Sequence, residues 1–184
     1  MPDKYQNKYR IPSARLQTWD YSSNGAYFIT ICTAKRHHYF GEMINGEMQL
    51  SEIGKMANQC WLEIPEHFQF VSLDAFVVMP NHLHGIIIID KPDNDGRVVD
   101  GSVVETGHAP SLRERPRNLK KNSISAMVGS FKSAVTKWCN ENNLSFGWQT
   151  RFHDHIIRDK DEFHRIRNYI INNPANWNKD KFFS

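Results

Sequence analysis

The sequence predicts an α+β fold, an antiparallel sheet of short strands with helices packed on one face. Three observations predict it. Stretches rich in β-branched and aromatic residues alternate with stretches of helical apolar period, in the order β, hairpin, α, β, β, α, β, α. Two of the strand-like runs are joined by Pro80-Asn81 alone, a connection short enough to force antiparallel pairing. The chain has 184 residues, 40% hydrophobic and 12% aromatic, which is enough to bury the core of one domain.

Residues 1–24 are polar, with Pro12 and several basic groups, and read as an N-terminal arm. "GAYFITICTA" (25–34) is a strand by composition. "GEMINGEMQL" (41–50) is a hairpin with Asn45-Gly46 at its tip, where two positive φ angles are needed. Ser51 caps a helix whose apolar positions Ile53, Met56, Ala57, Cys60, Trp61 and Ile64 recur at helical spacing before Pro65. "FVSLDAFVVM" (70–79) and "HLHGIIIID" (82–90) are the antiparallel pair. Residues 91–122 carry Gly, Pro, Asp and a basic cluster at 113–121, and read as a long surface loop. A helix follows from Ser123 to about Asn142, with Ile124, Val128, Phe131, Val135 and Trp138 on its buried face. "FGWQTRFHDHIIRD" (146–159) is a strand, and Asp159 with Glu162 opens a last helix that runs to the Pro174 region. The βαββαβ core inside this order is ferredoxin-like. Residues 1–184 are expected to form a single domain.

The net charge of +3 permits an anionic partner without specifying one. Cys32, Cys60 and Cys139 are far apart and odd in number, which fits reduced thiols rather than a disulfide framework. No run reaches the length of a membrane span, and residues 1–12 have no apolar signal core. A cytoplasmic protein is expected.

The stretch "VVMPNHLHGIIIID" carries the chemistry. A strand puts residues i and i+2 on one face, so His82 and His84 point together. Side by side, two imidazoles either chelate a divalent cation or satisfy strand-end backbone groups. In "DEFHRIRNYIINNPANW", Tyr169 and Asn173 stand at i, i+4 on one helix face. Taken alone, they are equally a core tyrosine and a helix-end residue.

Together, "YFITICTAKRHHYFGE", "MPNHLHGIIII", "SAMVGSFKSAVTKW", "WQTRFHDHIIRD" and "RIRNYIINNPANW" resemble the HUH single-tyrosine transposases, in particular the REP-associated tyrosine transposases of bacteria. The resemblance covers about residues 10–178, with every block in order. It implies an HUH-type catalytic domain in which His82, His84 and Asn173 hold a divalent cation, Mn²⁺ or Mg²⁺, and Tyr169 is the nucleophile. The implied reaction is cleavage and strand transfer of single-stranded DNA, next to a hairpin, through a 5′-phosphotyrosine. The partner is single-stranded DNA and the protein a monomer or homodimer. Lys132, Arg151, Arg158 and Arg165 are the DNA-binding candidates, with Lys137 and Arg167 beside them. Tyr5, Tyr9 and Trp19 are candidates for base stacking. His153 and His155 form a second i, i+2 pair around Asp154, open to a second metal site, with a structural or DNA-side role the one expected. Two other readings stay open: a metal-dependent nuclease that uses water, and a non-catalytic ferredoxin-like nucleic-acid binder.

Overall fold

The computed structural model describes residues 19–92 and 122–183, together with the backbone of two short strands, β1 (Lys4–Tyr5) and β2 (Lys8–Tyr9). The rest of the N-terminal arm and the basic cluster at 113–121 lie outside the described residues. The elements that follow are β3 (Gly25–Cys32), the hairpin β4 (Gly41–Ile44) and β5 (Glu47–Leu50), α1 (Glu52–Leu62), the single turn α2 (Ile64–His67), β6 (Val71–Met79), β7 (His82–Ile89), α3 (Ile124–Glu141), β8 (His153–Ile157) and α4 (Lys160–Ile171). A 3₁₀ turn at Pro174–Lys179 closes the order.

The four core strands pair antiparallel in the order β6-β7-β3-β8. Counting only β3, β6, β7 and β8, this is the ferredoxin-like order 2-3-1-4, and the expected α+β class is observed. The helix placement differs in one respect. Helices α1 and α3 pack together on one face, whereas α4 lies on the other. Strand alternation explains it. Leu83, Ile87 and Ile89 of β7 meet Ala57, Cys60 and Trp61 of α1 and Met127, Phe131 and Val135 of α3 in the main core. Ile86, one step out of phase, meets Ile157, Ile166 and Ile170 in a small second core beneath α4. Strand β7 is apolar on both sides because it is covered on both sides, the signature of a central strand.

Two boundaries and one strand interior differ from the sequence reading. The strand expected over 146–159 is regular only at His153–Ile157, after an isolated bridge between Thr33 and Trp148. The last helix ends at Ile171, so Asn173 starts the 3₁₀ turn rather than continuing the helix. Its φ of −59° and ψ of −43° are nonetheless helical, and it keeps the expected one-turn offset from Tyr169. Strand β6 carries an irregularity between Leu73 and Phe76. Among the described residues no helix is long and apolar enough to cross a membrane.

Gly85 lets Trp61 of α1 approach the sheet closely. A Cβ built there would lie 2.4 Å from Trp61 Cζ2, so the indole occupies the space that a side chain would need. Gly85→Ala is therefore expected to destabilise the protein by about 1–3 kcal/mol through overpacking. Urea unfolding of the variant and the parent measures this, and equal midpoints would show that the indole yields without cost.

Candidate active site

His82 and His84 lie at 0% and 1% exposure on the α4-facing side of β7, and their ring centroids are 4.5 Å apart. The register places them against Cys32 and Thr30 of β3, and against Met79 and Val77 of β6. Each ring has a partner on Nδ1. His82 Nδ1 is 2.8 Å from Asn81 Oδ1, and His84 Nδ1 is 2.8 Å from Thr30 Oγ1. Asn81 Nδ2 donates to the carbonyl of Phe182, which turns the amide oxygen toward His82. An amide oxygen can only accept, so His82 Nδ1 carries the proton and Nε2 carries the lone pair. That Nε2 is buried and has no hydrogen-bond partner.

Helix α4 and the turn after it bring in the rest. The Tyr169 hydroxyl is 3.1 Å from His84 Nε2 and donates to Asp180 Oδ2 at 3.1 Å. Asn173 Nδ2 donates to the same Asp180 oxygen at 2.7 Å, while its Oδ1 is buried without a partner. His82, His84 and Asp180 each place a ligand atom within 4.8 Å of the others, a group that could hold a metal ion. The residue types and the two orphaned acceptors, His82 Nε2 and Asn173 Oδ1, fit a divalent cation: a buried lone pair without a donor is costly unless a ligand takes it.

Asp180 and Asn81 are site residues that sequence reasoning missed. Asp180 follows a short 3₁₀ turn, outside the helix that carries Tyr169. Asn81 had a visible signal, a polar residue directly before the histidine pair, but it read as a turn residue. The segment 180–183 covers the histidines. Phe182 lies 4.6 Å from the His82 ring and 5.6 Å from His84, and Trp177 stacks on His82 at 5.9 Å.

The other sequence candidates are scattered. Lys132 donates to the carbonyl of Gln149 at 2.7 Å, beside the Trp148 ring, and burial pushes its pKa down. Arg151 is exposed in the approach to β8. Arg158 follows Ile157, which pairs with Ala26 at the end of β3 remote from Thr30 and Cys32, so it is not brought to the histidines. Arg165 lies one turn before Tyr169, 3.3 Å from Glu162. Arg167 pairs with Asp74 of β6 at 2.9 Å. His155 is engaged by Glu162 at 2.9 Å, which ties β8 to the start of α4, and no metal group assembles around His153 and His155 among the described residues. Trp19 donates to the Tyr27 hydroxyl at 3.1 Å. Tyr5 and Tyr9 have no described side chains.

Burial pushes the His82 pKa down to about 4, and His84 is held well below the ordinary imidazole value for the same reason, with the His82 charge adding to it. Burial and the Asp180 carboxylate push the Tyr169 phenol well above its usual range. The sign of the histidine effect is fixed by linkage. Unfolded His82 binds a proton near pH 6.5, and folded His82 binds it only near 4, so falling pH favours the unfolded chain across that window. His82 alone is expected to remove about 3 kcal/mol of stability between pH 6.5 and 4. Thermal melts across this range, in chelator, should fall more steeply for the wild type than for His82→Asn, and parallel curves would contradict it.

No family model matches the chain. A Haemophilus influenzae protein of uncharacterized function is 38% identical over 174 residues, spanning 93% of this chain and 92% of the relative. A second protein of that organism, provisionally named a REP-associated tyrosine transposase, is 24% identical over 158 residues, 85% of this chain and 73% of the relative. The solved structure of a REP-associated tyrosine transposase bound to a REP hairpin superposes with a TM-score of 0.57 at 18% identity, over 91% of this chain and 77% of that one. The resemblance carried by the sequence blocks is thus met again in a distant homologue and in the fold. The chain belongs to one family with the uncharacterized Haemophilus protein, and is related in sequence and in fold to the REP-associated tyrosine transposases.

Proposed function

We propose that this protein cleaves and rejoins single-stranded DNA through Tyr169, acting beside a hairpin as a transposase of the tyrosine class. One observation carries the reading: the Tyr169 hydroxyl lies 3.1 Å from His84 Nε2, in a cluster where His82 Nε2 and Asn173 Oδ1 are orphaned. A structural tyrosine has no need of two orphaned acceptors as neighbours.

In this reading His82, His84 and Asn173 hold a divalent cation, Mn²⁺ or Mg²⁺, and the Asp180 carboxylate adds negative charge to the cluster. The cation, when bound, supplies positive charge that draws electrons from a phosphate and offsets the charge of the transition state. Tyr169 Oη attacks phosphorus, the Oη–P bond forms, and the P–O3′ bond breaks. The products are a 5′-phosphotyrosine and a free 3′-hydroxyl. The phenol proton passes to Asp180 Oδ2, the acceptor that Tyr169 already faces. The departing 3′-oxygen takes a proton from solvent. A second 3′-hydroxyl reverses the step and joins the strands, so the bond energy is conserved without a nucleotide cofactor. Helix α4 holds the nucleophile at a fixed height over the sheet, which serves orientation. Lys132, Arg151 and Arg165 are proposed to contact the backbone along the strand, and Arg158, beside the far end of β3, is left out of that role.

Tyr169→Phe removes one oxygen. The fold and DNA affinity should survive, while nicking and the covalent adduct vanish. A denaturing gel of end-labelled single strands measures this. Label from the downstream fragment should migrate with wild-type protein alone. Cutting by the Phe variant at the parental rate would make water the nucleophile.

Metal affinity follows the same cluster. The double variant His82→Ala, His84→Ala should lose Mn²⁺ binding by calorimetry, and Asp180→Asn should weaken it about tenfold. Undiminished Mn²⁺ affinity in the double variant would place the cation elsewhere.

A further inference from the structure

Arg36 and Lys181 come from opposite ends of the chain and meet on one ring. The Arg36 guanidinium carbon is 5.0 Å from the centroid of Phe182, and Lys181 Nζ is 4.8 Å from it. Arg36 Nη1 donates to the Lys181 carbonyl at 2.9 Å, which fastens the pair. Phe182 in turn rests on His82 and His84. Both cations therefore stand one ring away from the candidate metal cluster.

Among the described residues neither has a carboxylate within ion-pair distance, whereas Arg165 and Arg167 are both paired. Positioning Arg36 also carries a backbone cost, because Lys35 and Arg36 have φ of 51° and 58°, in the left-handed region that non-glycine residues avoid. Two like charges held together on a buried ring, with no carboxylate of the described residues within ion-pair distance, are stabilised by an anion that binds both. A guanidinium with one N–H engaged keeps four donors for that anion.

We propose that Arg36 and Lys181 form a phosphate clamp that grips the backbone phosphate next to the scissile one on a DNA single strand. The inference rests on the function proposed above and extends its substrate site. The clamp sets where along the strand Tyr169 finds its target, because the gripped phosphate and the attacked phosphate are joined by one or two nucleotides. It is built from the same cover segment as Asp180.

The test is binding of a fluorescent mixed-sequence 30-nucleotide DNA single strand to the full-length protein, by anisotropy across a range of NaCl concentrations. Tyr169→Phe serves as the parent, so that no strand is cut. The slope of log affinity against log salt should fall by about 0.7 for each cation removed, in Arg36→Gln and in Lys181→Gln. Arg36→Lys should restore most of the slope, which a merely structural hydrogen bond to the 181 carbonyl would not do. Mn²⁺ affinity should stay unchanged in Lys181→Gln. If the parent binds with a steep slope and both Gln variants keep it, the clamp is overturned and the function stands. If the parent shows no salt-dependent binding, both fall together. If the slope falls as expected while the otherwise wild-type Tyr169→Phe protein still cuts, the clamp stands and the tyrosine mechanism fails.

Discussion

Two neutral imidazoles in the middle of a sheet buried on both faces are the constraint from which the rest of this molecule follows. Each ring brings two polar nitrogens into a region without water, and each nitrogen needs a partner. The Nδ1 atoms are answered locally, by Asn81 and Thr30. The Nε2 atoms are answered on the far side by Tyr169 for one ring and by no protein group for the other. This asymmetry fixes what must cover the sheet there. The covering element has to carry polar groups at its centre and apolar groups around them, which is what α4 and the segment after it supply.

Much of this was legible in the sequence, and the reason is periodicity. The i, i+2 spacing of His82 and His84 and the i, i+4 spacing of Tyr169 and Asn173 depend only on local geometry, which strand and helix impose wherever they occur. Helices α1 and α3 were readable for the same reason, from apolar residues every third or fourth position with Ser51 and Ser123 as caps. What failed were the features that local period does not encode. Which face α4 covers is decided by whether Ile86 or Ile87 of the apolar run 86–89 meets it, and both read alike. The position of Asp180 depends on a 3₁₀ turn and a reversal of the chain, where no periodicity operates. The regular strand of β8 is shorter than its composition suggests, since the loop before it is held by Lys132 and Trp148 and touches the end of β3 only through an isolated bridge and single backbone bonds.

The C-terminal segment is more than a tail. Through Asn81 it holds the tautomer of His82, through Asp180 it holds Tyr169 and Asn173, and through Phe182 it shields both rings. Three jobs on four residues make it sensitive to small changes. They also explain why Asn81 is completely buried although it sits in a two-residue turn. A loop residue buried in this way usually answers to something outside its loop, and here that is the carbonyl of Phe182.

The irregularity in β6 has a consequence for how the protein tolerates change. Leu73 and Phe76 both face the main core although three positions separate them, and Asp74 and Ala75 fill the gap. The strand therefore contains one residue more than its partner requires, and the surplus resets its phase. Downstream of it, Val77 lies under α4 beside His84, and Asp74 is turned out to hold Arg167. Deleting one residue here would not simply shorten a strand. It would restore a regular ladder and invert every side chain on one side of the join, exchanging the surface that meets α1 and α3 for the one that lies under α4. Length in this strand is thus as strictly specified as residue identity, and insertions that surface loops absorb freely have no place in it.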